Sequence, residues 1–226
     1  MIKAKLILDF DSTFIKIETL DALANIVFKD MKNKHLAINK IKKITSEAML
    51  GNIPFDIALS NRIKLLNAKI EDVKQTISLI KKNISNTVAT NRKFFINNSK
   101  NIYIISGGFK EIILPIVKSY GIKEKNVFAN TFKYDNNIQI KSIDKNNLLS
   151  KDKGKVLALK SIKNKEKSNA KYIIVGDGYT DYELKKHKAA DIFIQYIENV
   201  NRRSLNKKAD IIANNFDEVI NYIENI

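Results

Sequence analysis

The stretch Lys5-Leu6-Ile7-Leu8-Asp9-Phe10-Asp11-Ser12-Thr13 decides how this 226-residue chain is read. Leu6-Ile7-Leu8 is an unbroken apolar run, the pattern of a strand covered on both faces, and two carboxylates stand at its end. The same pattern recurs at Ile102-Tyr103-Ile104-Ile105, Tyr172-Ile173-Ile174-Val175 and Ile192-Phe193-Ile194, with a weaker version at Asp210-Ile211-Ile212-Ala213. Helical periodicity follows these runs over 109–120, 156–162, 181–188 and 216–226. Strands alternating with helices predict an α/β fold on a doubly wound parallel sheet.

The region after the first strand differs in character. Residues 19–29, 38–50, 54–66 and 70–84 read as amphipathic helices with short connections, so a helical, lid-like module is expected there. Within 127–140, Asp135-Asn136-Asn137 supplies turn chemistry between two β-prone runs and predicts a hairpin. Five of the seven glycines fall just after apolar strands or beside Lys153. In an open α/β sheet ligands bind beyond the carboxyl ends of the strands, and glycine lets backbone approach them closely.

Composition narrows the chemistry. The chain has no cysteine and two histidines, His35 and His187, which excludes thiolate zinc sites and cysteine nucleophiles and leaves little for a His-based triad. Carboxylates, hydroxyls, lysines and backbone amides must do the work. Forty basic residues against twenty-four acidic ones give a formal charge of +16. These lysines are spread along every segment rather than clustered with aromatics, so they read as a solvated surface and no nucleic-acid partner is expected. No apolar run reaches the ~18 residues of a membrane span, and residues 1–9 lack a signal-peptide pattern, so the expected location is cytoplasmic, with no membrane partner.

Four places carry candidate chemistry. Asp9 and Asp11, two carboxylates one residue apart at a strand end, suit a hard cation such as Mg²⁺ or a nucleophile with an acid/base partner. Ser106-Gly107-Gly108 offers a hydroxyl and amides to an anion. Lys153-Gly154 at a helix start could neutralise phosphoryl oxygens. Gly176-Asp177-Gly178-Tyr179-Thr180-Asp181 could complete a metal site. Taken singly, each also reads as an N-cap, a tight turn or plain surface.

In this order the four resemble the motifs of the haloacid dehalogenase superfamily of phosphohydrolases: D-x-D-x-T, S/T, K and GD-x-x-x-D. The resemblance covers the core from Lys5 to the chain end. It narrows in the helical insertion, where DFDSTFIKIETLD (9–21) and KKITSEAMLGNIPFDIALSNRIKLL (42–66) are similar to the phosphoserine phosphatase family. The resemblance implies a Rossmann-like core over 1–14 and 85–226 and a substrate-specificity cap over 15–84. It implies Mg²⁺ held by the carboxylates of Asp9 and Asp177 and the backbone carbonyl of Asp11, with Asp181 orienting the metal shell. Asp9 is the implied nucleophile and Asp11 the general acid/base. Ser106, Gly107 and Lys153 are the implied phosphate ligands.

A phosphoserine head also carries an ammonium and a carboxylate. Glu18 is expected to take the first, and Arg62 to grip the second in a bidentate fork. Met49 and Phe55 would form an apolar wall. Thr180, where many relatives have Asn, could reach phosphate or water. The expected activity is hydrolysis of phosphoserine, the last step of serine biosynthesis, by a monomer or homodimer. Another small phosphomonoester, a phosphotransferase reaction, and a nucleic-acid-binding protein on an inactive core are the competing readings.

Overall fold

Strand β1 (Lys5–Leu8) pairs in parallel with β2 (Ile102–Phe109) on one side and β6 (Tyr172–Gly176) on the other in the computed structural model, which describes residues 2–136 and 138–226. The remaining strands of this sheet are β3 (Val127–Asn130), β7 (Ile192–Tyr196) and β8 (Ile211–Ala213). The six run in the order β3-β2-β1-β6-β7-β8, all parallel. This is the doubly wound α/β sheet expected from the apolar runs. Its strand order reverses between β1 and β6, the place where such sheets open a crevice at their carboxyl ends.

The helices of the first connection are α1 (Thr19–Val27), α2 (Lys34–Leu50), α3 (Phe55–Leu66), α4 (Ile70–Lys81), α5 (Asn86–Thr90) and α6 (Arg92–Asn98). Later come α7 (Lys110–Val117), α8 (Gly154–Glu166), α9 (Tyr179–Lys186) and α10 (Phe216–Glu224). Hydrophobic burial on both sheet faces holds the layers together. Leu6, Leu8, Ile104 and Val175 point into one core with α6, α7 and α10, while Ile7, Ile105, Ile174 and Phe193 point into the other with α8 and α9. The alternation along β1, with every apolar side chain buried on one face or the other, is why the run carries no polar residue.

The hairpin turns after Asp135, where the sequence predicts, with β4 (Phe132–Asp135) and β5 (Gln139–Ile143) as its arms, whereas Val127–Asn130, the start of the expected first arm, joins the parallel sheet as an edge strand. Both stretches are β-prone, so composition alone does not separate an edge strand from a hairpin arm. Of the expected turn residues, Asn137 lies outside the described residues.

Register decides what the strand ends present. Leu8 pairs with Val175 and with Ile104, so Asp9, Asp177 and Ser106 emerge along one edge. The segment after β1 is tightly wound, and Ser12 sits in the left-handed region at φ 54°. A non-glycine residue there costs on the order of 1–3 kcal/mol, so surrounding packing must hold it. Phe14 supplies part of that hold through edge contacts with Phe95 and Tyr120 at centroid distances of 5.4 and 4.9 Å.

Gly154 opens α8 against backbone: a Cβ there would lie 2.3 Å from the Leu148 carbonyl oxygen and 2.8 Å from Leu149 Cα. Neither atom can yield without moving the preceding turn. We predict that Gly154→Ala destabilises the protein by roughly 1–3 kcal/mol, about 2–4 °C per kcal/mol at this size. Thermal melting of the variant against wild type checks this, and an unchanged midpoint would show that the turn accommodates a methyl group.

Candidate active site

The centre of the crevice is an ammonium between two carboxylates. Lys155 Nζ lies 2.9 Å from Asp9 Oδ1 and 2.7 Å from Asp181 Oδ1, and all three side chains are buried. Burial works against the lysine charge, but Asp181 and Asp9 outweigh it and hold the ammonium above its ordinary range. Asp181 is pushed up to about 7 by burial and by Asp9, against the opposing pull of Lys155 and of the Gly178 amide, which donates to Oδ2 at 3.1 Å.

This corrects the expectation for Lys153. That side chain is exposed and pairs only loosely with Asp152, at 3.7 Å, whereas Lys155 is 6% exposed. The reason is helical phase. Ala158, Leu159 and Ile162, three, four and seven residues beyond Lys155, are all buried, so Lys155 belongs to the inward stripe of α8. Lys153 precedes the helix in a left-handed conformation, φ 53°, and points outside that stripe. A lysine inside an apolar stripe was the signal the Lys-Gly pair obscured.

Asp9, Asp177 and Asp181 bring carboxylate oxygens within 4.8 Å of one another, all three buried. Burial pushes Asp177 well above the usual carboxylate range, with Glu18, Asp9 and Asp181 adding to it and Arg202 opposing it. Three buried, mutually repelling carboxylates of hard oxygen character form a donor set that fits a hard divalent cation. Around this cluster the carboxyl groups of Asp9, Asp11, Glu18, Asp177 and Asp181 outnumber the cations Lys155, Arg62 and Arg202. Asp181 belongs to this cluster directly.

Asp11 stands two residues from Asp9 and accepts from the Thr19 hydroxyl. Burial and the nearby Glu18 push it well above the carboxylate range, with a smaller contribution from Asp9, against the Thr19 hydrogen bond. It therefore favours the protonated state that a general acid needs. Ser106 and Gly107 lie across the cleft at the end of β2. The Gly108 amide donates to Ser106 Oγ at 3.0 Å, and the Asn130 amide donates to the Gly107 carbonyl at 2.9 Å, so both ends of this loop are fixed.

The helical insertion delivers the other wall. Leu20, Met49, Phe55 and Arg62 line one cleft with Asp9, Asp11, Ser106, Gly107, Lys155 and Thr180. Phe55 reaches so far onto the core that a Cβ on Gly107 would lie 2.2 Å from its Cζ. Thr180 Oγ1 is buried without a hydrogen-bond partner among the described residues.

Arg62 is 4% exposed. Its Nε donates to the Ala58 carbonyl at 3.3 Å and its Nη1 to Thr45 Oγ1 at 3.2 Å; Thr45 in turn donates to Asp21. Among the described residues no carboxylate comes within 4 Å of it, and burial lowers its affinity for its proton. Glu18 accepts from Ser12 Oγ at 2.8 Å and from Arg202 Nη2 at 3.3 Å. Burial raises Glu18, and Arg202 and the Ser12 hydroxyl pull it back. The expected site residues gather around this cleft, and Lys153 stands at its edge, where it lines a neighbouring pocket with Phe55, Gly107, Lys155 and Thr180. Asp21, Thr45 and Arg202 are additional supporting residues to which the sequence assigned no role.

No family model matches the chain. The chloroplastic phosphoserine phosphatase of Arabidopsis thaliana is 30% identical over 216 residues, covering 96% of this chain and 70% of that protein. A phosphoserine phosphohydrolase-like protein from Francisella tularensis superposes with a TM-score of 0.86 at 26% identity, covering 97% of this chain and 99% of that one. A phospho-aspartyl intermediate analogue of a phosphoserine phosphatase superposes at 0.78 with 28% identity, covering 97% and 98%. The identity across nearly the whole chain includes both the sheet that carries the carboxylates and the insertion that carries Arg62, and on that ground the chain belongs to the phosphoserine phosphatase family.

Proposed function

We propose that the chain hydrolyses O-phosphoserine to serine and phosphate with Mg²⁺ bound at Asp9, Asp177 and Asp181, the closing reaction of serine biosynthesis in the cytoplasm. One observation carries the substrate assignment: Arg62 is a buried cation with no carboxylate within 4 Å among the described residues, in the same cleft as Asp9. A buried cation without a directly bonded anion is costly, so this one reads as reserved for an anion that arrives with the substrate. Glu18, on the same wall, offers the opposite charge for an ammonium.

When bound, the cation offsets repulsion between the Asp9 carboxylate and a phosphoryl dianion. Asp9 attacks phosphorus in line, forming the acyl-phosphate bond as the ester P–O bond breaks. Asp11 gives its proton to the departing serine oxygen. As a carboxylate it then takes a proton from the water that attacks phosphorus, and the bond to Asp9 breaks with release of phosphate. Ser106 Oγ, the Gly107 amide and Lys155 surround the phosphoryl oxygens, and the free Thr180 hydroxyl can donate to one of them. Phe55 over Gly107 excludes bulk water from the covalent intermediate.

Four variants test this reading. Asp9→Asn removes turnover by on the order of a thousandfold or more while leaving the melting midpoint near wild type. Phosphate release from L-phosphoserine with Mg²⁺, beside EDTA controls and other phosphomonoesters, reads it; metal-dependent release from other esters but not phosphoserine would move the substrate elsewhere. Lys155→Ala loses activity and destabilises by about 3–5 kcal/mol, because it leaves two buried carboxylates facing each other. Lys153→Ala stays within about 0.5 kcal/mol and near-normal rate. Arg62→Ala costs about a hundredfold in kcat/KM for phosphoserine, the usual toll of truncating one side of a buried charge pair. Its kcat/KM for p-nitrophenyl phosphate changes little; equal losses on both esters would remove the head-group role.

A further inference from the structure

Arg202 stands between the two halves of the cleft. Its Nε donates to Asp177 Oδ2 at 2.8 Å and its Nη2 to Glu18 Oε1 at 3.3 Å, with the side chain 11% exposed. Asp177, just past the end of β6, belongs to the carboxylate cluster, and Glu18 stands at the start of the helical insertion. One guanidinium therefore touches a carboxylate of each subsite.

The rest of the loop keeps it there. The Arg202 carbonyl accepts from Nε2 of Gln195, a fully buried residue that pairs across the sheet with Gly176, the neighbour of Asp177. Three residues earlier, Asn199 Nδ2 donates to the Ser12 carbonyl at 3.1 Å and to Ser85 Oγ at 2.6 Å. The backbone is thus fixed on both sides of the side chain. A planar fork fixes the directions of its donors, so it can aim two carboxylates along two set lines, whereas the donors of an ammonium rotate about one point.

We propose that Arg202 is a positioning residue that fixes a metal-binding carboxylate and the ammonium-binding carboxylate together, so that the two subsites lose affinity together when it is removed. The second half rests on the phosphoserine reading above, and the first does not. Without the guanidinium, Asp177 and Glu18 are two partly or fully buried anions with nothing between them. Both would turn from their present directions, Asp177 away from Asp9 and Asp181, Glu18 away from the cleft.

The test uses metal-stripped Arg202→Ala and Arg202→Lys beside wild type. Calorimetric titration with Mg²⁺ alone, without substrate, reads the metal arm; loss of an outer partner of a metal ligand typically weakens binding about 10–100-fold. Steady-state kinetics at saturating metal read the ammonium arm, comparing phosphoserine with 3-phosphooxypropionate, the same skeleton without its amine. For Arg202→Ala the expected result is Mg²⁺ affinity lower by about tenfold or more. KM for phosphoserine should rise by a similar factor, with KM for the amine-free ester within about twofold. Arg202→Lys should recover one arm at most.

An unchanged metal affinity, a tighter one, or an unchanged KM ratio between the two esters would overturn the proposal, as would full recovery of both arms by lysine. If Arg202→Ala fails to fold by circular dichroism, Arg202→Gln is judged by the same two criteria. A wild-type enzyme with no preference for phosphoserine over the amine-free ester would overturn the substrate reading, and the Mg²⁺ titration would still decide the metal half.

Discussion

The buried contact of Lys155 with Asp9 and Asp181 is the constraint around which this molecule is arranged. Asp9 ends β1, Asp181 lies in the first turn of α9, and Lys155 lies in the first turn of α8, so three elements far apart in sequence meet at one nitrogen. Carboxylates buried side by side repel one another, and the Lys155 ammonium offsets that repulsion for Asp9 and Asp181. One ammonium does not match all three carboxylates of the cluster, so Asp177 depends on Arg202 for its cationic partner.

The second organising feature is the stretch from Glu198 to Arg202. Glu198 accepts from Tyr196 and Thr87, Asn199 ties the nucleophile loop to Ser85, and Arg202 reaches the site. Ser85 itself donates to the Thr13 carbonyl at 2.7 Å, and Ile84 forms a bridge with Ile15, so the chain leaves and re-enters the core at one point. The left-handed Ser12 persists because its carbonyl, its amide and its hydroxyl are all engaged. Conformational strain at Ser12 is thus balanced by hydrogen bonds with Ile17 and Glu18 nearby and with Asn199 from the other end of the sequence.

Much of this was legible in the sequence, for a physical reason. A strand of a parallel sheet buried on both faces must be apolar throughout, so β1, β2, β6 and β7 announce themselves, and the residues just past their ends are the ones a crevice can use. Asp9, Asp11, Ser106, Asp177 and Asp181 follow from that rule. Lys155 does not lie beyond a strand end; its place is set by the phase of α8, which places Lys155 rather than Lys153 on the inward face. Val127–Asn130 was ambiguous because edge strands and hairpin arms share composition. Nothing local assigns a role to Arg202, Thr45 or Asp21: their roles consist of contacts with residues 184, 17 and 24 positions away, and such partners exist only after folding.

The +16 charge acquires a different meaning once the site is known. Its lysines lie mostly on the outside, while the crevice carries more buried carboxylates than cations. A phosphomonoester dianion approaching that crevice meets local repulsion at the end of its path and attraction along the rest. A basic exterior raises the local concentration of anions without any specific contact, and screening confines its reach to about 10 Å at ordinary ionic strength. In the proposed reaction, affinity at the site comes from groups that act at short range: a cation on the carboxylate cluster, Lys155, Arg62 and the amides of the Ser106 loop. The exterior charge governs how often substrate arrives, and the buried charge governs which substrate stays. The two are separable because nearly all the lysines are solvated and one, Lys155, is not.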